Sequence, residues 1–303
     1  MFKSIMENGV DRKSALNILE DFIDTKLHNY ESKRNYDYGP SAHENVSLLS
    51  PYIRHRIITE EEVIAKAINK FPLPKIEKYI QEVFWRTYWK GWLELRPKVW
   101  TDYQELVEKN DINQEYDRII SLNTGIDCFD SWTQELLETN YLHNHARMWY
   151  ASIWIHTLKL PWSLGADLFL NNLLDGDPAS NTLSWRWVAG IQTRGKSYLA
   201  KDWNIQKFTK NRFKPKETDF SAIPAEIDYI DYKMNSIKFH EANEFDWGQS
   251  GLLVTSEDMH VLSSNRIDFP LQNAYILALT DTEKANYSKN VSNFKQAISL
   301  STK

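Results

Sequence analysis

The sequence predicts a mainly α-helical fold, and three observations carry that expectation. Turn formers are scarce: ten glycines and ten prolines among 303 residues, about half of their usual combined share of roughly 12%, which disfavours a sandwich or barrel of short strands. Apolar residues recur at helical spacing through most of residues 1–215. The polar stretches between these segments are short, and strands do not alternate with helices as a parallel sheet requires.

Taken in order, Asp11 is placed to cap a helix reaching about His28, with Ala15, Leu16, Leu19, Phe22 and Ile23 on its apolar face. Thr59 precedes Glu60, Glu61 and Glu62, a hydroxyl cap followed by acids that favour the helix dipole. Pro72 and Pro74 separate that helix from one running from about Lys75 to Leu95 and ending before Pro97. Further helices are expected over Asp127–Thr139, from Asn144 to a stop before Pro161, over Ser163–Leu174 and over Ser180–Ala189. These make up a helical domain, residues 1–216. Residues 217–247 are acidic and weakly periodic, and read as a linker. Residues 248–303 form a small α/β-like extension: Gly251–Thr255 and Asn273–Leu279 as short buried strands, Ser288–Ser299 as a helix. Two strands and a helix cannot bury a core alone. The extension is therefore expected to pack on the helical domain or on a protein partner, or to belong to a larger α/β unit.

Composition narrows the function classes. Hydrophobic residues at 42% and charged residues at 25% describe a folded globular chain. No apolar run approaches the ~18 residues of a membrane span, and the N-terminus lacks the apolar stretch of a signal peptide, so a cytoplasmic protein with no membrane partner is expected. Cys128 is the only cysteine, which excludes an intrachain disulfide, a cysteine-held iron–sulfur cluster and a multi-cysteine zinc site. The net charge of −5 is not that of a strong nucleic-acid binder. One stretch differs: Arg194, Lys196, Lys201, Lys207, Lys210, Arg212, Lys214 and Lys216 face only Asp202, which suits either phosphate contact or a solvated edge. Twelve tryptophans are unusual at this length; most are expected to fill the core, a minority to serve a planar ligand.

Four constellations carry chemistry. Asp175-Gly176-Asp177 precedes Pro178-Ala179-Ser180-Asn181 and then Trp185-Arg186-Trp187. Two carboxylates around a glycine suit Mg²⁺, as in a metal-dependent transferase, or ligand hydroxyls, or a polar ligand edge, or a capped helix end. His143 and His145 lie two apart rather than four, which disfavours metal binding. Arg147 lies in a strongly apolar helix and needs a buried acidic partner, for which Asp175 is the candidate. Glu82 and Trp85 share a helix face and, with Trp89, set a carboxylate beside indoles. Burial there raises a carboxylate pKa and favours its protonated, donating form; the same residues also suit a plain amphipathic surface. Ser47 and Ser50 offer hydroxyls near a helix start, where phosphate is bound without a glycine-rich loop. Neither dinucleotide-binding glycines nor a Walker-type loop occurs.

In this order the pieces TGIDCFDSW, NYLHNHARMWYAS, LFLNNLLDGDPASN and SWRW resemble the FAD-binding catalytic domain of the photolyase/cryptochrome family, over about residues 27–213. The resemblance implies FAD held bent inside an all-helical domain. Tyr30, Ser47, Leu49 and Ser50 would hold its diphosphate and ribityl region. Tyr79 sits where the family often has Trp, and Arg86 joins the cofactor set. Asn144, Arg147, Asp175 and Asp177 would line the isoalloxazine and adenine pocket, with Asn181 facing flavin N5. Glu82, Trp85, Asn144, Met148 and Trp187 match positions that cradle a flipped-out pyrimidine dimer, which Glu82 would hydrogen-bond, and Arg34 would touch the lesion strand. Trp185 and Trp162 match a photoreduction chain whose distal position falls on Leu106; Trp100 is the substitute candidate. The implied activity is light-driven repair of cyclobutane dimers in UV-damaged DNA, including single-stranded DNA, by electron transfer from reduced FAD. The alternative is blue-light sensing through the C-terminal tail. Several departures stand out. The family's usual segment after the site is replaced by Gly190 to Tyr198, which brings its own basic strip, and the tail after residue 216 is acidic and unlike the family's end. The family's N-terminal antenna domain has no counterpart, so no antenna chromophore is expected. The hydroxyl expected at Val46 is missing. The family's DNA-contacting Arg is replaced by His145.

Overall fold

The computed structural model describes residues 5, 7, 9–40, 42–110, 114–236, 251–260, 274–277 and 287–301. Helix α1 (Arg12–Thr25) starts where Asp11 accepts the Ser14 N–H at 2.8 Å. A single turn, α2 (Tyr30–Lys33), and a short α3 (Ser50–Arg54) follow. Helix α4 (Glu60–Lys70) opens on a reciprocal capping box between Thr59 and Glu62. Helix α5 (Leu73–Glu94) begins two residues before the sequence expectation because Pro74 is accommodated in its first turn. Three helices escape the periodicity reading: α6 (Lys98–Lys109), α7 (Gln114–Ile120) and α12 (Asp202–Phe208). Helix α6 does carry an apolar face, Val99, Trp100, Tyr103, Leu106 and Val107, which that reading passes over, whereas α12 buries only Ile205, too little to mark one.

Helix α8 (Asp127–Thr139) ends on Asn140 in the left-handed conformation. Helix α9 (Asn144–Ser152) does not continue unbroken toward Pro161. It widens into a π turn over Ile153–Thr157, in which the Leu158 N–H reaches the Ile153 carbonyl. His156, inside that turn, bonds the Val188 carbonyl through Nε2 and accepts the Ala225 N–H at Nδ1. Helices α10 (Trp162–Asn172) and α11 (Pro178–Val188) complete the body.

Two large cores organise these helices, beside a small third cluster of Leu93, Val99, Ala179 and Leu183. The first gathers Phe129, Trp132, Trp149, Tyr150, Trp154, Phe169 and Trp185. The second gathers Leu19, Phe22, Leu49, Tyr52, Val63, Ile76 and Tyr79. Leu173 belongs to the first and Leu174 to the second, so the loop that follows, Asp175 to Asp177, emerges at the seam between them.

Residues 217–236 run across the helices: Ser221 N–H donates to Thr157 Oγ1 (3.1 Å), Asn235 N–H to the Leu95 carbonyl (2.8 Å), and Tyr232 O–H to Asp102 (2.9 Å). The rest of the expected linker lies outside the described residues. Strands β1 (Leu252–Thr255) and β2 (Ala274–Leu277) pair in parallel, with Leu253 opposite Tyr275. Helix α13 (Lys289–Ser301) follows. Val254, Met259, Val291, Phe294 and Ile298 enter the second core, so among the alternatives the extension packs on the helical domain.

Gly165 marks the tightest contact of the first core. A Cβ there would lie 2.3 Å from Trp185 Cη2 and 2.9 Å from Trp154. Gly165→Ala is expected to displace Trp185 and to cost about 1–3 kcal/mol of stability, read as a lowered unfolding midpoint in urea; an unchanged midpoint would contradict this packing.

Candidate functional site

The seam loop is fixed from both sides. The Leu174 N–H donates to the Asn140 carbonyl (3.0 Å), tying the loop to the end of α8. Asp177 caps α11 by accepting the Ser180 N–H at 2.8 Å. Gly176 is required between the carboxylates because a Cβ would meet the Leu170 carbonyl oxygen at 2.7 Å.

Arg147 and Asp175 meet, as the apolar context of Arg147 demanded. Arg147 Nη2 lies 3.0 Å from Asp175 Oδ2, its Nε donates to the Leu142 carbonyl at 2.9 Å, and its guanidinium sits over the Tyr141 ring. Burial works to raise the Asp175 pKa, but Arg147, Ser50 and Arg86 outweigh it and the net shift is downward. Asp177 behaves alike: burial raises, while Arg86, Arg54, the Ser180 N–H and Lys90 lower more strongly. Both carboxylates are thus neutralised by cationic side chains, a donor set that suits a polar ligand edge and not a divalent cation. Three buried polar atoms here, Asp175 Oδ1, Arg86 Nη1 and Ser180 Oγ, make no hydrogen bond of normal geometry within the chain. Buried groups left in this way cost stability unless a ligand completes them. That fits the hydrogen-bonding edge of a flavin, with Arg147, Asp175, Arg86 and Asp177 as its holders.

Around this wall, Tyr79 is buried, its hydroxyl pKa pushed up by burial against the opposing effect of Ser47. Leu49 is fully buried, Ser47 Oγ accepts the Leu49 N–H at 3.4 Å, and Ser50 opens α3. Asn181 donates from its amide to the Ala166 carbonyl at 2.7 Å. The residues expected on the substrate side reach solvent to different degrees: Trp85 is 58% exposed, Asn144 exposed, and Glu82, Met148 and Trp187 half-buried, with Trp187 stacked on Tyr198 at 5.8 Å.

Glu82 differs from its sequence expectation. Its carboxylate accepts from Arg34 Nε at 2.7 Å and from the Tyr30 hydroxyl. It acts as an acceptor in an ion pair, not as a donor among indoles, because α2 folds over α5 and delivers both partners. Tyr30, expected near the cofactor diphosphate, gives its hydroxyl to Glu82, and Arg34, expected on a DNA strand, gives Nε to Glu82 and Nη1 to the Glu31 carbonyl. His145 is buried, stacked on Trp149 at 4.1 Å and bonded to the Asn35 carbonyl, so it does not stand in for a DNA-contacting arginine.

The aromatic residues expected to form a chain fall into two sets of ring contacts. Trp185 contacts Tyr150, Trp154 and Phe169. Trp162 meets Tyr103 at 5.7 Å, and Tyr103 meets Trp100 at 5.1 Å. Trp100 and Leu106 both lie on α6, and Tyr103 is the ring that links Trp100 to Trp162. In the basic strip, Arg212 is withdrawn into an ion pair with buried Asp37 at 2.6 Å, while Lys201, Lys207, Lys210, Lys214 and Lys216 are exposed.

Sequence reasoning missed Arg54, Lys90 and Ser180. Arg54 is 4% exposed, donates from Nε to the Gly176 carbonyl at 2.8 Å and lies 3.7 Å from Asp177. Its only sequence signal is a basic run, Arg54-His55-Arg56, directly after the hydroxyl-bearing loop.

With this geometry described, comparison with known proteins is informative. Residues 79–218 match the family described as the FAD binding domain of DNA photolyase. A deoxyribodipyrimidine photo-lyase of Agrobacterium fabrum is 32% identical over 183 residues, 58% of this chain and 37% of that protein. One from Buchnera aphidicola is 28% identical over 200 residues, 63% of this chain and 41% of that protein. The chain thus spans about two fifths of the length of these curated relatives. Among solved structures, a bacterial class III photolyase from Agrobacterium tumefaciens superposes with a TM-score of 0.57 at 28% identity, covering 66% of this chain and 43% of its own. A Synechocystis cryptochrome gives a TM-score of 0.57 at 22% identity over the same shares, a likeness of fold.

Proposed function

Because the helical body of this chain belongs to the photolyase/cryptochrome family, as its FAD-binding domain, we propose that it binds FAD and uses blue light to split cyclobutane pyrimidine dimers in DNA. The observation that supports this most is the Arg147–Asp175 couple. It stands with unsatisfied Asp175 Oδ1, Arg86 Nη1 and Ser180 Oγ, while Glu82, Trp85, Asn144, Met148 and Trp187 are each open to solvent in part. When bound and reduced, FAD supplies a light-absorbing one-electron donor. The chain's residues do the rest. Arg147, Asp175, Arg86 and Asp177 grip the ring edge, and Asn181 orients it. Tyr79, Ser47, Leu49 and Ser50 enclose the diphosphate and ribityl portion, with Tyr30 alongside.

On the substrate side, Trp85 and Trp187 offer apolar faces to two extruded bases, and Asn144 and Met148 complete the cradle. Glu82, freed from Arg34 and the Tyr30 hydroxyl when the dimer enters, donates as the protonated acid to a dimer carbonyl and so stabilises the negative charge that develops there. The exposed lysines between Lys201 and Lys216 contact the DNA backbone, single-stranded DNA included. Trp185, Trp162 and Trp100, bridged by Tyr103, relay electrons for photoreduction.

The test is reduced protein mixed with dimer-containing single-stranded DNA, with and without blue light. Dimers are expected to disappear only under light. Glu82→Ala is expected to retain FAD and to lose splitting on the order of tenfold to a hundredfold. A wild-type protein that binds FAD yet splits nothing would reject repair and leave light sensing.

A further inference from the structure

The C-terminal extension lies beyond the family match, yet it reaches the polar wall of the candidate cofactor site. Glu257, in the turn after β1, pairs with Arg54 Nη2 and also accepts Lys295 Nζ of α13 at 3.1 Å. Arg54 is in turn bonded to the Gly176 carbonyl and lies beside Asp177. One buried guanidinium therefore joins three pieces of chain: α3, which begins at Ser50; the carboxylate loop; and the extension.

The surrounding contacts hold this junction in register. The Met259 N–H donates to the His55 carbonyl at 3.1 Å, His55 Nδ1 meets the Ser256 carbonyl at 2.5 Å, and Arg56 Nε reaches Asp258 at 3.0 Å. On the other side of the loop, the Ser288 N–H donates to the Asn171 carbonyl at 2.9 Å, and Asn290 donates to Asn140 Oδ1 at 2.8 Å. Asn140 is the residue whose carbonyl anchors Leu174. The extension thus grips both flanks of the segment that carries Asp175 and Asp177.

We propose that Glu257 is a positioning residue for the cofactor site: by clamping Arg54, it makes the C-terminal extension an integral wall of the pocket rather than an appended tail. The charge arrangement requires such a partner. Asp177 alone faces Arg54 at 3.7 Å, Lys90 at 3.8 Å and the field of Arg86. Glu257 is half exposed, but Arg54 is buried, so without Glu257 it would be a buried cation sharing one already committed carboxylate, which is unfavourable. Arg54 would then leave the Gly176 carbonyl, and the loop would lose its outer support.

This inference rests on the FAD reading above, and the experiment separates the two. FAD dissociation constants are measured by fluorescence on the full chain for wild type, Glu257→Gln, Arg54→Gln, the double variant, and Val291→Ala as a packing control in the same extension. Glu257→Gln is expected to weaken FAD binding about tenfold, and the double variant to be no weaker than Arg54→Gln alone, because both remove the same interaction. Val291→Ala is expected to lower the unfolding midpoint while leaving the dissociation constant within twofold. Unchanged or tighter binding in Glu257→Gln, or additive losses in the double variant, would overturn the proposal. Loss of affinity in Val291→Ala equal to that in Glu257→Gln would also overturn it, since general loosening would then suffice. A wild-type protein that binds no FAD would instead overturn the functional reading itself.

Discussion

Arg147→Ala is expected to yield a colourless protein and to lower folding stability by about 3–5 kcal/mol, the usual penalty for orphaning a buried charge. Asp175, 4% exposed in its side chain, would keep its carboxylate with only Ser50 and Arg86 to compensate. The lost Nε bond to the Leu142 carbonyl would also release the first turn of α9. Arg147→Lys is expected to fold better, because a charge remains, but to retain little flavin, because an ammonium cannot serve the Leu142 carbonyl and Asp175 through a planar fork. Flavin absorbance after purification and urea unfolding of the cofactor-free forms check both statements. An Arg147→Ala protein as yellow and as stable as wild type would remove the basis for placing the cofactor here.

The second large effect is acid lability beginning above the carboxylate range. Burial lowers the pKa of four histidines: His55 to about 3, His143 to about 4, and His145 and His156 in the same direction. For His55, Arg54 and Lys295 add to the effect of burial, while Glu257 and Ser256 oppose it. An unfolded histidine takes up its proton near pH 6.5, whereas these folded ones do not. Their neutral burial therefore supports the fold fully above about pH 6.5 and is withdrawn as pH falls, each site contributing a slope of up to about 1.4 kcal/mol per pH unit. The depressed carboxylates act lower: Asp175, Asp177, and Glu62 and Glu257 at about 2, lose their contribution only below about pH 4. Urea unfolding between pH 8 and pH 5 is expected to show a plateau and then a steep fall. His143→Asn, which keeps a helix-capping acceptor, and His55→Asn, which keeps a donor for the Ser256 carbonyl, are each expected to flatten that fall. A stability profile flat to pH 5 would contradict neutral burial.

Much of the site was legible because its parts are local. The Arg147 requirement follows from one charge in an apolar helix, and the pair Glu82 and Trp85 from a spacing of three on α5. Asp11 and Thr59 mark helix starts by chemistry that acts within four residues, whereas α11 begins at Pro178, two residues before the expected Ser180. What was not legible depends on residues distant in sequence. Glu82 cannot be seen as the acceptor of Arg34 and Tyr30 until α2 lies across α5, some fifty residues later. Arg212 reads as one more basic residue until it meets Asp37 from the other end of the domain. The ring path Trp162–Tyr103–Trp100 depends on how α6 packs against α10.

From its residues alone, this chain settles its helical class, most helix boundaries and the need of Arg147 for an acidic partner, since periodicity and capping act over a few neighbours. Only the folded arrangement decides that Arg54 and Glu257, two hundred residues apart, form one ion pair beside the carboxylate loop. The reason is that a buried charge is stable only beside its counter-charge, and which one it finds is set by how the helices pack and not by their order along the chain.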